Sequence, residues 1–200
     1  MSFTPENYQP PKSNSNYMKM LDGDNIIRIL SKPIMGWLDW KEENGKRTPI
    51  RTPYNQPKPT PIDPAKSVKH FWAMTIWDYR EKTIKILEIT QSSIQEALYN
   101  LDVDEAWGEP TLYDINIKKS GEKLETKYAV IARPPKDITE EIKTAFIKIN
   151  PNLNALFSNA DPFASKGQEQ DEYSQPIPAD DYLQPELDGE EEIKAEDIPF

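Results

Sequence analysis

The twelve residues Val68–Tyr79 (V-K-H-F-W-A-M-T-I-W-D-Y) constrain the chain more than any other stretch. β-branched and aromatic residues dominate them, which makes a strand. Val68, His70, Trp72, Met74 and Ile76 fall on one face; Lys69, Phe71, Ala73, Thr75, Trp77 and Tyr79 fall on the other. Arg80-Glu81 turns the chain into a second strand, Lys82–Thr90, so a hairpin is expected here. Thr90 or Ser92 then caps a helix reaching about Leu101, with Ile94, Ala97, Leu98 and Leu101 at helical spacing.

A second hairpin is expected further on. Thr111–Lys118 alternates in polarity, Ser120-Gly121 turns, and Lys123–Arg133 returns until Pro134-Pro135 stops it. Asp102–Pro110, between the helix and this hairpin, is an acidic loop in which Trp107 reads as a packing anchor. Asp137 followed by Glu140 resembles a capping box at the start of a helix Ile138–Ile149, with a further helical turn at Pro151–Phe157.

Upstream, Met1–Met20 is a polar, proline-containing arm, with packing expected to begin near Tyr17–Leu21. Asn25–Leu30 reads as a strand, and Pro33 demands an edge position or a bulge before Ile34–Trp40 continues extended. Residues 41–67 hold six prolines, one glycine and no apolar period. They are expected to form a long basic loop without regular structure. The resulting order of strand, loop, strand, strand, helix, strand, strand, helix predicts a mainly β fold. The expectation is a five-stranded OB-fold barrel over 21–158, with a helix between strands three and four and a C-terminal helix.

Charge divides the molecule. Asp161–Phe200 contains thirteen acidic and two basic residues, a net of −11, whereas the first 160 residues carry a net of +1. Between Lys12 and Lys85 the net is +6. Residues 159–200 therefore read as a solvated, disordered acidic tail. It ends in Glu196, Asp197, Ile198, Pro199 and Phe200, an apolar tip behind carboxylates that suggests docking to a partner.

The basic half also interleaves cations with aromatics, the pattern of surfaces that hold single-stranded nucleic acid. Trp37, Trp40 and Lys41 end the first strand; Lys46, Arg47, Arg51, Tyr54 and Lys58 lie on the long loop. Lys69, Phe71, Trp77, Tyr79, Arg80, Lys82 and Lys85 lie on the hairpin. A small barrel also needs large apolar residues in its core. Trp72, beside Met74 and Ile76, reads as core, while core packing and base stacking both stay open for Trp77 and Tyr79. His70 reads as structural or exposed. The chain has no cysteine and one histidine. No metal site or other cofactor is expected, nor is a membrane span. No nucleophile elbow, phosphate loop or histidine base is present, so no enzymatic activity is expected.

These stretches resemble the single-stranded DNA-binding proteins of bacteriophages. The likeness lies in D-G-D-N-I-I-R-I-L-S at 22–31, K-H-F-W-A-M-T-I-W-D-Y at 69–79, I-L-E-I-T-Q-S-S-I at 86–94 and D-E-A-W-G-E-P at 104–110. It extends to the strand pair that follows, and the terminal E-D-I-P-F is similar to the acidic tip of bacterial single-stranded DNA-binding proteins. The resemblance implies an OB-fold that coats single-stranded DNA in replication, recombination or repair. It implies a location in the cytoplasm of the infected bacterial host, and a terminal tip that recruits replication, recombination or repair enzymes. The zinc ligands of the T-even helix-destabilising proteins are missing, so their metal-stapled subdomain is not implied. A competing expectation is an OB-like module for protein or RNA, with the acidic tail mimicking nucleic acid.

Overall fold

The computed structural model describes residues 16–164, so the expectations for 1–15 and 165–200, including the acidic tip, lie outside the described residues. The chain is mainly β. The strands are β1 (Gly23–Ile29), β2 (Ile34–Glu43), β3 (Lys46–Pro53), β4 (Lys69–Asp78), β5 (Thr83–Ile89), β6 (Asp114–Ser120) and β7 (Lys127–Ala132). Two α-helices, α1 (Ser92–Asp102) and α2 (Glu140–Ile149), and two 3-10 segments, Lys123–Glu125 and Leu153–Ser158, complete it.

β4 is the axis. β5 pairs along one of its edges, and β1 and β2 share the other: β1 with Ile76–Asp78 and β2 with Lys69–Ala73. The chain bends between them, where Ser31 Oγ accepts the Thr75 N–H at 3.0 Å and the Leu30 N–H reaches the Thr75 carbonyl at 2.9 Å. The break expected at Pro33 is this bend. β1 continues the sheet to β6 and β7, and β2 continues it to β3.

The expected five-stranded barrel is corrected: seven antiparallel strands form one sheet, and it does not close. The free edge of β5 is taken instead by Asn16–Met18, through Met18 N–H to Ile86 O and Ile86 N–H to Asn16 O, both 2.9 Å. Residues 41–67 are also corrected. β2 runs on to Glu43, Asn44 and Gly45 turn with φ of 52° and 74°, and β3 returns to Pro53. An Asn-Gly pair with both φ positive is the favoured two-residue hairpin turn. Only the stretch after Pro53 stays irregular.

Both faces of β4 are covered. Met74 and Ile76 join Ile27, Ile29, Ile115 and Ile117 and the α1 residues Ile94 and Leu98 in the largest core. On the other face Phe71 and Ala73 pack with Leu153 and Leu156 of the 3-10 segment, and Trp77 packs with Ile142 of α2. Neither α-helix uses the cap expected for it. α1 starts at Ser92, one residue after a Thr90 cap and one before a Ser92 cap would require, and α2 starts at Glu140, two residues after an Asp137 cap would; neither has a side-chain cap.

A buried polar network ties β1, β4, β6 and the approach to α2. Arg28, fully buried, lies 3.3 Å from Asp114 and donates to the Lys136 carbonyl. Asp114 also accepts the Tyr79 hydroxyl at 2.9 Å and pairs with Lys136 at 2.6 Å. Burial and the Asp114 carboxylate together raise the ionisation of Tyr79 above the ordinary tyrosine range.

Tyr113 is buried and donates to the Gly108 carbonyl at 3.1 Å. Burial, reinforced by Asp102 and Asp104, pushes its ionisation up to about 12. An unfolded tyrosine ionises near pH 10, at about its ordinary value. Between those limits the unfolded chain has released a proton that the folded chain retains, so stability falls as pH rises. The urea midpoint is expected to drop from about pH 10 upward, and Tyr113→Phe is expected to flatten that decline.

Candidate functional site

The N-terminal end of β4 differs from the rest. The side chains of His70 and Trp72 share the face of Met74; both are half-buried, Trp72 packing against the edge of the main core. β2 runs antiparallel here and sets Trp37 opposite His70 and Met35 opposite Trp72. Cross-strand partners project from the same face. Tyr54, just past β3, is fixed by its N–H to the Met35 carbonyl at 3.1 Å. Three segments distant in sequence thus bring four rings together.

The spacing is close. Trp37 and Tyr54 both stand 5.3 Å from His70, Trp37 and Tyr54 are 6.0 Å apart, and Trp72 meets His70 edge-on at 6.5 Å. Tyr54 is 59 % exposed. Lys58 holds its ammonium 5.2 Å from the centre of the Trp37 ring. No carboxylate lies within ion-pair distance of Lys58 among the described residues. The ring nitrogens Trp37 Nε1, His70 Nε2 and Trp72 Nε1 are buried without a partner among the described residues; only Arg28 and Asp78 also hold such side-chain atoms. Unpaired buried donors cost stability, and here they gather on one patch. The patch offers flat apolar faces beside an uncompensated cation.

The residues expected at the site divide. Trp37, Tyr54 and Lys58 are brought together, and Lys41 and Lys46 share their side of the β2–β3 hairpin by register, with Lys41 held by Glu43 at 2.7 Å. Trp40, Arg47, Arg51, Lys69 and Phe71 lie on the opposite side. Several expected contacts are corrected. Phe71 and Trp77 are buried under the 3-10 segment and α2, leaving no ring face for a base. The Tyr79 hydroxyl is engaged by Asp114, and Lys136 stands over its ring at 5.2 Å.

Lys85 is buried and pairs with Glu81 at 2.6 Å. Arg51 binds Glu88 through Nε and Nη2, both at 2.8 Å, with its side chain 6 % exposed. Arg80 lies near Asp78 at 3.8 Å, and Lys82 is exposed at the β4–β5 turn. That turn is beyond Asp78, eight residues from His70 and so about 26 Å along the strand. It is at the wrong end to join the four rings.

His70, expected to be structural or exposed, and Trp72, expected to be core, were not among the residues expected at the site. Trp72 does pack against the main core, as its alternation with Met74 implied, and its half-buried ring also meets His70 edge-on.

Among the described residues no group of three or more His, Asp or Glu side chains is placed to hold a metal ion, and no helix is long and apolar enough to cross a membrane. No family model matches the chain, and comparison with curated proteins and with solved structures finds no match.

The Arg51–Glu88 pair holds β3, and with it the hairpin, against β5. Breaking a buried pair from one side strands the other charge. Arg51→Ala is expected to lower the unfolding free energy by about 3 kcal/mol, measured by urea denaturation.

Proposed function

We propose that this chain binds single-stranded DNA through the Trp37–Tyr54–His70–Trp72 surface. The observation that carries this reading is the cluster itself. Four rings meet on one face, the most exposed is Tyr54, and Lys58 stands beside them free of any carboxylate among the described residues. Every base has a π-face, so stacking holds a strand with little sequence preference and contributes about 1–3 kcal/mol per base. Lys58 and the exposed Lys46 supply charge for phosphates, which release counterions on binding. In a duplex the bases are stacked on one another, and these rings have nothing to take. Duplex DNA should therefore bind more weakly.

The connectivity supports an OB-like reading. One bent stretch, β1 and β2, lines β4 and pairs onward with β6; α1 falls between the β4–β5 and β6–β7 hairpins. An OB-fold is a five-stranded, partly open Greek-key barrel that binds through its second and third strands and adjoining loops. In that correspondence β2–β3 elaborates the first of those loops. With Phe71 and Trp77 covered on the other side of β4, the four-ring patch presents exposed aromatic surface beside that strand. In this reading the protein coats single strands in phage replication, recombination or repair within the bacterial cytoplasm. The acidic end, Glu196–Phe200, recruits the enzymes of those processes.

The test is tryptophan fluorescence titrated with oligo-dT at two salt concentrations. Quenching that weakens with salt is expected. Trp37→Ala and Tyr54→Ala should each weaken binding by about tenfold, as for the loss of one stacked base. Lys58→Ala should reduce the slope of log K against log salt by about 0.7, the value for one phosphate on a single strand. No quenching at low salt, or equal affinity for duplex, would overturn the reading.

A further inference from the structure

The β2–β3 hairpin has a second side. There Trp40 is 36 % exposed, faces Pro49 across the ladder, and carries the Arg47 guanidinium 4.9 Å above its ring. A groove of ≈ 480 Å³ runs from this pair to Leu156 and Asn159 on the body of the protein. Its floor is electrically quiet, since Arg51 is matched by Glu88. Its rim is not: Lys46 and Arg47 have no carboxylate within ion-pair distance among the described residues. A flat indole beside two uncompensated cations suits a base and its phosphate.

Resting on the single-strand reading above, we infer that the groove is a second subsite for the same strand, which wraps over the hairpin from the Trp37 side to the Trp40 side. Trp37 and Trp40 are three residues apart on β2, about 10 Å along the strand, and project from opposite sides. The edge to be crossed is open. Among the described residues β3 pairs only with β2, and its Pro49 and Pro53 lack the N–H groups that would draw another strand onto that edge. Lys46, at the crossing beside the Asn44–Gly45 turn, also lines the groove. A base stacks on Trp40 in the place that Arg47 now covers, and the displaced guanidinium takes the phosphate. The strand occupies the Tyr54 side first, because its rings are more numerous and Tyr54 is the most exposed of them.

The experiment compares two fluorescein-labelled oligo-dT strands on the full chain, of about 5 and about 16 nucleotides, which bracket the span of one binding domain. The variant is Trp40→Ala combined with Arg47→Ala, with its urea midpoint recorded to confirm folding. Its affinity for the short strand is expected to stay within about twofold of the original, while its affinity for the long strand falls by about tenfold. Trp40→Phe, which keeps a stacking ring, should retain most of the long-strand affinity. Equal losses at both lengths, or none at either, would overturn the second subsite and leave the first in place. A gain in long-strand affinity would also overturn it, by showing that the groove holds the chain's own acidic end. Failure of the unmodified protein to bind either strand would overturn the single-strand reading itself, and the subsite with it.

Discussion

One bend in the chain sets the architecture. Between Ile29 and Ile34 the backbone leaves one part of the β4 edge and rejoins it further along. The Thr75 N–H, stranded between the two pairings, goes to Ser31 Oγ rather than to a strand. Pro33, which has no N–H to offer, sits where no ladder bond is needed. The two halves then diverge. β1 carries the sheet into β6 and β7 and into the large core, and β2 carries it outward into the β3 hairpin. A straight strand would have done only one of these. The aromatic patch exists because β2 brings Trp37 alongside His70, at the edge of the main core near the start of β4.

Charged side chains follow the same division. The buried cations are matched: Arg28 with Asp114 and Lys85 with Glu81 on the body, and Arg51 with Glu88 where the hairpin meets it. Buried cations need such partners, and these hold one element to another. On the hairpin Lys41 is matched by Glu43, but Arg47, and Lys58 beyond it, lie over indole rings instead. Gly36 shows how tightly the hairpin is set against the body. A Cβ there would come within 2.3 Å of the Thr52 carbonyl oxygen and 2.8 Å of the Phe71 ring, so β2 passes at a distance only glycine allows. A rigid base under an exposed aromatic surface limits the ordering cost of binding.

Much of the fold was legible because it is local. The alternation in Val68–Tyr79, the break at Pro33, the spacing of Ile94 and Leu98, and the turn at Gly121 each report the element in which they lie. The β3 strand was obscured because six prolines outweighed Asn44-Gly45. Two of them, Pro49 and Pro53, fall on an edge strand, where the missing N–H is tolerated. The site was harder to read. Periodicity separates two faces of β4, but only distant packing decides which is covered. Ile142 and Leu156, far along the chain, bury the face of Trp77 and Phe71, for which stacking had stayed open or been expected, while His70 and Trp72 line the patch from the other face, half-buried at the edge of the core. Trp37, Tyr54 and Lys58 were legible as types, and their meeting with His70 depended on a register that no single segment encodes.

The central claim is that a single strand lies on the side of Trp37 and Tyr54, and not over the covered side of β4. Photocross-linking tests this most directly: oligo-dT carrying 5-bromodeoxyuridine is irradiated on the full chain, and the adducts are located by mass spectrometry of the digest. Adducts on Trp37, Tyr54, His70 or Trp72, with none on Phe71 or Trp77, are the result this account predicts. Adducts confined to Lys69, Lys82, Tyr79 or Trp77 would contradict it.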